Sequence, residues 1–248
     1  MGDRIVIERR FNGPPDSANG GYTCGCVARA FGGSGPGDGA VQVSLRQPPP
    51  LEEPLDLERS DEGARLLAGD GLVADASVVS AESLGEPPGF VEPGEARDAA
   101  TRSFYLNDSH PFPSCFVCGP RRAEGDGLRI FPGPLGEMFA APWRPADDLA
   151  RADGTVAPEI VWAALDCPTS APGMNQPGPD GRVLPIVLAR LAVEVTGEVR
   201  AGAEHVITSR EIWREGRKRE AGAALYSAGG ELLARARALW IELKAAPG

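Results

Sequence analysis

Histidine is almost absent from this chain, which has two, His110 and His205. That scarcity excludes a histidine-rich metal centre, and any Ser–His or Cys–His nucleophilic pair has to use one of those two residues. No apolar run approaches the roughly 18 residues that span a bilayer. Met1 to Phe11 alternates charge with Ile and Val and holds no apolar signal-peptide core, so the expected location is the cytoplasm. Positive charge is in short supply: 25 basic residues stand against 35 acidic ones, a net charge of −10. Nucleic-acid binders carry a basic stripe and anionic membrane surfaces attract basic segments, so neither partner is expected. The five cysteines are odd in number and fit reduced thiols better than a disulfide framework.

Glycine and proline are abundant instead, 32 and 24, together 56 of 248 residues. Average usage would be about 12%. With 42% apolar residues the chain still has enough material for a core, so it reads as a folded protein with many turns.

Periodicity supplies the elements. Residues 4–11 read as a short strand, and the turn-rich stretch Asn12 to Gly21 leads into a helix, 22–31, that is small and apolar on nearly every side. Residues 40–46 alternate at period two, and 51–59 can form the next strand. Asp70-Gly71 between the apolar runs 64–67 and 72–79 predicts a hairpin. Residues 82–110 are acidic, polar and proline-marked and read as a linker with a short helix near 95–104. Beyond it, 128–131 and 137–140 read as strands, 158–166 as an apolar helix broken by Pro168, and 183–195, 205–213, 218–226 and 231–243 as four strands. The halves look alike: each has a loop, one apolar helix and a run of antiparallel strands. Leu66 to Ala76 lies beside Leu225 to Ala236 with one extra residue, both reading Leu, turn, Leu, apolar, Ala, charged, Ala.

At these residues the chain resembles a known family. Asn19-Gly20-Gly21 before a small-residue helix resembles the His-Gly-Gly helix start of hotdog-fold thioesterases. Cys115-Phe116-Val117-Cys118-Gly119-Pro120 with Gly127-Leu128 resembles their Cys-Phe-x-Cys-Gly-Pro…Gly-Leu entry segment. Trp162-Ala163-Ala164-Leu165-Asp166 resembles the central helix with its acidic residue, and the Gly-x-Leu-x-Ala-x-Ala hairpin resembles the closing strands. The resemblance implies an α+β chain built as a tandem, or double, hotdog: two curved antiparallel sheets, each wrapped around a central helix. The units are assigned to 1–85 and 112–248, with a linker at 86–111. Pairing them inside one chain covers the exposed edge of each sheet, so the chain is an internal pseudo-dimer, with a homodimer of it open.

The family implies thioester hydrolysis, with coenzyme A as part of the substrate and no separate cofactor. Backbone N–H groups at a helix N-terminus polarise the carbonyl, and a carboxylate acts as base or nucleophile. Gly20 and Gly21 match the first role and Asp166 the second. Asn19, in the family's His position, caps the helix or orients substrate. The matching spacing in the N-terminal half lands on Ala28, and Pro158-Glu159 replaces the Gly-Gly pair in the C-terminal half. One composite site is therefore expected, Gly21 against Asp166, with a dead counterpart. Trp162, Thr169, Ser170, Arg121 and Arg122 are candidate substrate contacts, as are Arg214 and Arg217-Lys218-Arg219 for phosphates. A plain turn at Gly20-Gly21 and a helix-ending role for Asp166 compete with this reading. An enoyl-CoA hydratase and a non-catalytic acyl-CoA binder are the alternative functions.

Cys115-x-x-Cys118 is half of a structural zinc pattern, which wants four ligands. His110 is near in sequence, but Cys24, Cys26 and Cys167 would have to be brought by folding, so packing is expected there and no metal. No thioredoxin-like pattern surrounds the pair.

Overall fold

The computed structural model describes residues 3–33, 35–176, 183 and 185–243. The N-terminal half contains β1 (Asp3–Val6), helix α1 (Gly20–Phe31), β2 (Ala40–Leu45), β3 (Pro54–Ser60), β4 (Gly63–Ala68) and β5 (Gly71–Val79). Helix α2 (Pro93–Ala100) follows, then β6 (Gly133–Leu135), β7 (Met138–Trp143), helix α3 (Pro158–Met174), β8 (Ile186–Val195), β9 (His205–Glu215), β10 (Lys218–Ser227) and β11 (Leu232–Glu242). The strands form one 11-stranded antiparallel sheet in the order β1-β3-β4-β5-β2-β8-β11-β10-β9-β7-β6. The order is nearly palindromic about the β2–β8 seam, where Ala40 faces Glu194 and Ser44 faces Arg190. Each half thus gives its innermost edge to the other, and β1 and β6 remain as the outer edges.

Alternation explains β2, whose Val41 and Val43 are buried while Gln42 and Ser44 are only half-buried. At the β4–β5 hairpin Ala68 faces Gly71, and Gly69 takes the positive φ, 57°, that turns the chain. Helices α1 and α3 pack against each other and against the sheet. The contact is close because α1 presents glycines to its neighbour. A Cβ at Gly21 would lie 2.3 Å from Asp166 Cβ, and one at Gly25 would lie 2.5 Å from Glu159 Cα.

Several expectations need correction. Pro168 does not end the second helix: α3 runs to Met174 with Pro168 and Pro172 inside it. Each interior proline costs about 3 kcal/mol. The same helix buries Ile160, Val161, Trp162, Leu165 and Met174. At about 1.5–3 kcal/mol per large apolar side chain, that burial outweighs two prolines. The first strand stops at Val6, and Arg9–Phe11 form a 3-10 turn. Residues 128–131 form no strand; β7 pairs instead with Gly133–Leu135, and Arg129 takes a positive φ of 51°. Leu184 of the expected strand 183–195 lies outside the described residues, and β8 begins at Ile186. The stretch read as a linker, 82–110, packs on the sheet. Val91, Ala96 and Ala99 form a small core with Ala140 and Val206, and the Pro88 carbonyl accepts hydrogen bonds from Tyr226 Oη and Thr208 Oγ1.

Candidate active site

Asn19, Gly20 and Asp166 meet at one cavity of about 610 Å³. Asn19 is the N-cap of α1, and its Oδ1 accepts from the Tyr22 N–H at 2.9 Å, one of the orphan donors of the first turn. Its amide nitrogen is then free to donate to Asp166 Oδ2 at 2.8 Å. The Gly21 N–H donates to the same oxygen at 3.0 Å. The carboxylate of α3 therefore sits on the positive end of α1, held by one amide and one backbone donor. Its other oxygen, Oδ1, is buried and has no partner among the described residues. Burial pushes the Asp166 carboxyl up to about 7, while the Gly21 N–H and the Asn19 amide pull it down.

The Gly21 N–H is thus committed to Asp166 instead of facing open space. The first residue of the helix, Gly20, lines the cavity, and its N–H donates to no group among the described residues. It is the free donor of the helix start.

Ser170 lines the cavity one turn beyond Asp166. Its oxygen lies 2.5 Å from Tyr105 Oη and the Cys167 carbonyl lies 2.7 and 2.8 Å from the two, so one hydroxyl donates to the other, which donates to the carbonyl. Thr169 lies off the cavity wall. It donates to the Asp166 carbonyl at 2.6 Å and accepts from Trp240 Nε1 at 2.8 Å, fixing the helix under the acid. Trp162 is fully buried in the core and does not line the cavity. Arg122 is also turned away: it donates to the carbonyls of Ser114 and Arg10 and to Asn12 Oδ1, tying the entry segment to the N-terminus. Arg121 is exposed and off the cavity wall. Among the described residues the one arginine on the wall is Arg46, ion-paired with Asp75 at 2.5 Å.

At the pseudo-symmetric position Ala28 is fully buried, and Glu159 is held by Arg29 at 2.9 Å. No carboxylate there faces a glycine helix start.

The sequence did not point to Tyr105, Leu188 or Trp240, all on the cavity wall. Tyr105 comes from the stretch read as linker. The other two sit in β8 and β11 at ordinary core spacing, so neither carried a signal of its own. The fold also brings Cys167 of α3 to Cys115 and Cys118. These three sulfurs lie within 4.8 Å of one another, all buried. Hydrogen bonds from the Cys118 and Cys167 thiols, and then the backbone N–H groups of Cys118 and Val117, hold the Cys115 thiol well below its ordinary range. Cys24 and Cys26 stay outside the cluster on α1.

No family model and no curated protein sequence matches the chain. Solved structures do. The tesB protein of Mycobacterium avium subsp. paratuberculosis superposes with a TM-score of 0.63 at 12% identity, over 97% of this chain and 92% of its own. A provisionally assigned thioesterase from Novosphingobium aromaticivorans gives 0.60 at 14% identity, over 98% and 95%. A conserved protein of unknown function with a hot dog fold from Alicyclobacillus acidocaldarius gives 0.58 at 12%, over 98% and 93%. The chain has the hotdog fold. Coverage of both halves, with the sheet continuous across β2 and β8, makes it a double hotdog. Among the described residues of this double hotdog, no helix is long and apolar enough to cross a membrane.

Proposed function

We propose that this double hotdog hydrolyses an acyl thioester of the acyl-CoA class at one composite site, built from the start of α1 and the middle of α3. The observation that carries the reading is Asp166. It is a buried carboxylate with one oxygen held by Gly21 and Asn19, and the other unpartnered beside a cavity of about 610 Å³. A cavity of that size and a few convergent polar groups suit a small ligand. The thioester carbonyl oxygen accepts from the Gly20 N–H, where the helix dipole favours the negative charge that develops on it. Asp166 Oδ1 takes the proton of a water that attacks the carbonyl carbon. The carbon–sulfur bond then breaks, and the leaving thiolate takes that proton back from Asp166 and departs as the thiol. Burial supports Asp166 as a base, because it raises the affinity of the carboxylate for that proton.

The test is hydrolysis of an acyl-CoA panel by the wild type and by Asp166→Asn, which keeps the shape and removes the base. Loss of general-base catalysis lowers kcat by about 10²–10⁴-fold. Undiminished hydrolysis by Asp166→Asn would remove Asp166 from the reaction. Tight acyl-CoA binding by a wild type that turns nothing over would make the protein a binder.

A further inference from the structure

The entry segment and α3 come from separate stretches of sequence, yet their thiols converge. Cys115 and Cys118 sit on a tight turn in which the Gly119 N–H donates to the Cys115 carbonyl at 2.9 Å. A Cβ at Gly119 would lie 2.4 Å from that carbonyl oxygen, so the turn needs glycine there. Cys167 reaches the pair from α3, with its sulfur 3.8 Å from that of Cys115. All three cysteines line the cavity.

We propose that Cys115, Cys118 and Cys167 hold one thiophilic divalent cation of the zinc class, with its fourth position open to the cavity. Tetrahedral zinc–thiolate bonds of about 2.3 Å place neighbouring sulfurs about 3.8 Å apart. The Cys115–Cys167 separation already has that value. The widest separation in the cluster is bounded by 4.8 Å, so closing it asks for at most about 1 Å of thiol movement (4.8 − 3.8).

His110 does not complete the set. Its Nδ1 accepts from the Phe112 N–H at 2.9 Å, which leaves the proton on Nε2. Three protein ligands and one open position therefore describe the site. On binding, each cysteine that still carries its S–H proton releases it to solvent and three metal–thiolate bonds form, with no change of oxidation state. The cation would staple the entry segment to α3 beside Asp166. The site stands on the sulfur geometry and is independent of the proposed hydrolysis.

The experiment uses the full reduced chain under anaerobic conditions, with Co²⁺ as the probe and Zn²⁺ as competitor. One equivalent of Co²⁺ should give thiolate-to-cobalt charge transfer and tetrahedral d–d bands, both erased by one equivalent of Zn²⁺. Cys118→Ser and Cys167→Ser should weaken binding at least tenfold, while Cys24→Ser, outside the cluster, should keep full stoichiometry. Absence of the charge-transfer band in the wild type overturns the proposal, and so does an undiminished band in Cys167→Ser. Should the serine variants fail to fold, native mass spectrometry of the wild type decides. One zinc per chain surviving buffer exchange supports the site, and none refutes it. Neither readout depends on whether any thioester is cleaved.

Discussion

Gly21→Ala tests the joint between the two helices most directly. The added Cβ would stand 2.3 Å from Asp166 Cβ and 2.9 Å from the Trp162 carbonyl oxygen. Ordinary contact begins near 3.4 Å, so α1 and α3 must part by about 1.1 Å (3.4 − 2.3). Neither obstacle is the tip of a flexible side chain, and no rotamer change relieves the clash. Overpacking of this kind costs about 1–3 kcal/mol. The same movement stretches the 3.0 Å bond from the Gly21 N–H to Asp166 beyond hydrogen-bonding range. A lost bond to a charged group costs about 1.5–3 kcal/mol more. The two losses share one displacement and do not add strictly, so a total of about 3–5 kcal/mol is expected. At about 2–4 °C per kcal/mol for a chain of this size, Tm falls by about 10 °C. An acid displaced by about 1 Å also lowers kcat/KM by about 10²-fold. Calorimetry and acyl-CoA hydrolysis read both effects. Gly94→Ala in α2 is the baseline, since a Cβ there meets nothing within 4 Å and should not lower Tm. A Gly21→Ala protein with wild-type Tm and wild-type turnover would refute the close-contact argument and the coupling of Gly21 to Asp166.

Two further predictions concern other parts of the fold. Burial works to raise the Glu220 carboxyl, but hydrogen bonds from Arg237 and Trp213 and the charges of Arg237 and Arg190 outweigh it and hold it below 4.5. A depressed carboxyl contributes stability above its unfolded value and loses it as pH falls through the folded one. Glu220→Gln should therefore cost about 1–2 kcal/mol at neutral pH, and the difference in Tm should shrink below about pH 4.5. A difference that grows on acidification would contradict the assignment. Glu159→Ala removes the carboxylate at the pseudo-symmetric position. Its ion pair with Arg29 is half-exposed on the arginine side, so Tm should fall by only a few degrees and kcat/KM should hold. A loss of turnover matching that of Asp166→Asn would mean that the counterpart site also works.

What could be read from the residues followed from local rules and from the family resemblance. Local rules read a turn-rich loop through Gly21 and a helix from residue 22, and the family resemblance marked Asn19-Gly20-Gly21 as the helix start; α1 begins at Gly20 with Asn19 as its cap. The alternation of Val41 and Val43, and the turn before Gly71, placed β2 and the β4–β5 hairpin by local rules alone. The misread features were decided by tertiary contacts. Pro168 is a helix breaker by local rules, yet α3 continues because its whole length is buried. Tyr105 sits in an acidic, proline-marked stretch with no periodicity, and only the folded chain carries its hydroxyl to Ser170. Cys167 follows Asp166 by one residue and lies far in sequence from Cys115, so their 3.8 Å separation had no pattern to announce it. The role of Gly21 was legible as a contact with Asp166 but not in its form, since the N–H bonds the acid and Gly20 is left as the free donor.

The asymmetry between the halves follows from the cost of buried charge. Asp166 is tolerated in the core because Gly21 and Asn19 each donate to it. An aspartate at Ala28 would be as deeply buried. The helix start facing it would be that of α3, where the N-cap, Ala157, has no side-chain donor to match the Asn19 amide and the acidic Glu159 stands in place of Gly21. A carboxylate with so little compensation is worth several kcal/mol against folding, or is forced to stay protonated. A symmetric dimer of single hotdogs would have to build both the donors and the acid into every copy. Fusion of the two units in one chain lifts that requirement. Helix α1 can specialise in small residues that admit close approach, and α3 can carry the acid. The absence of an acid at position 28 is then the stable solution for a helix that faces Pro158-Glu159.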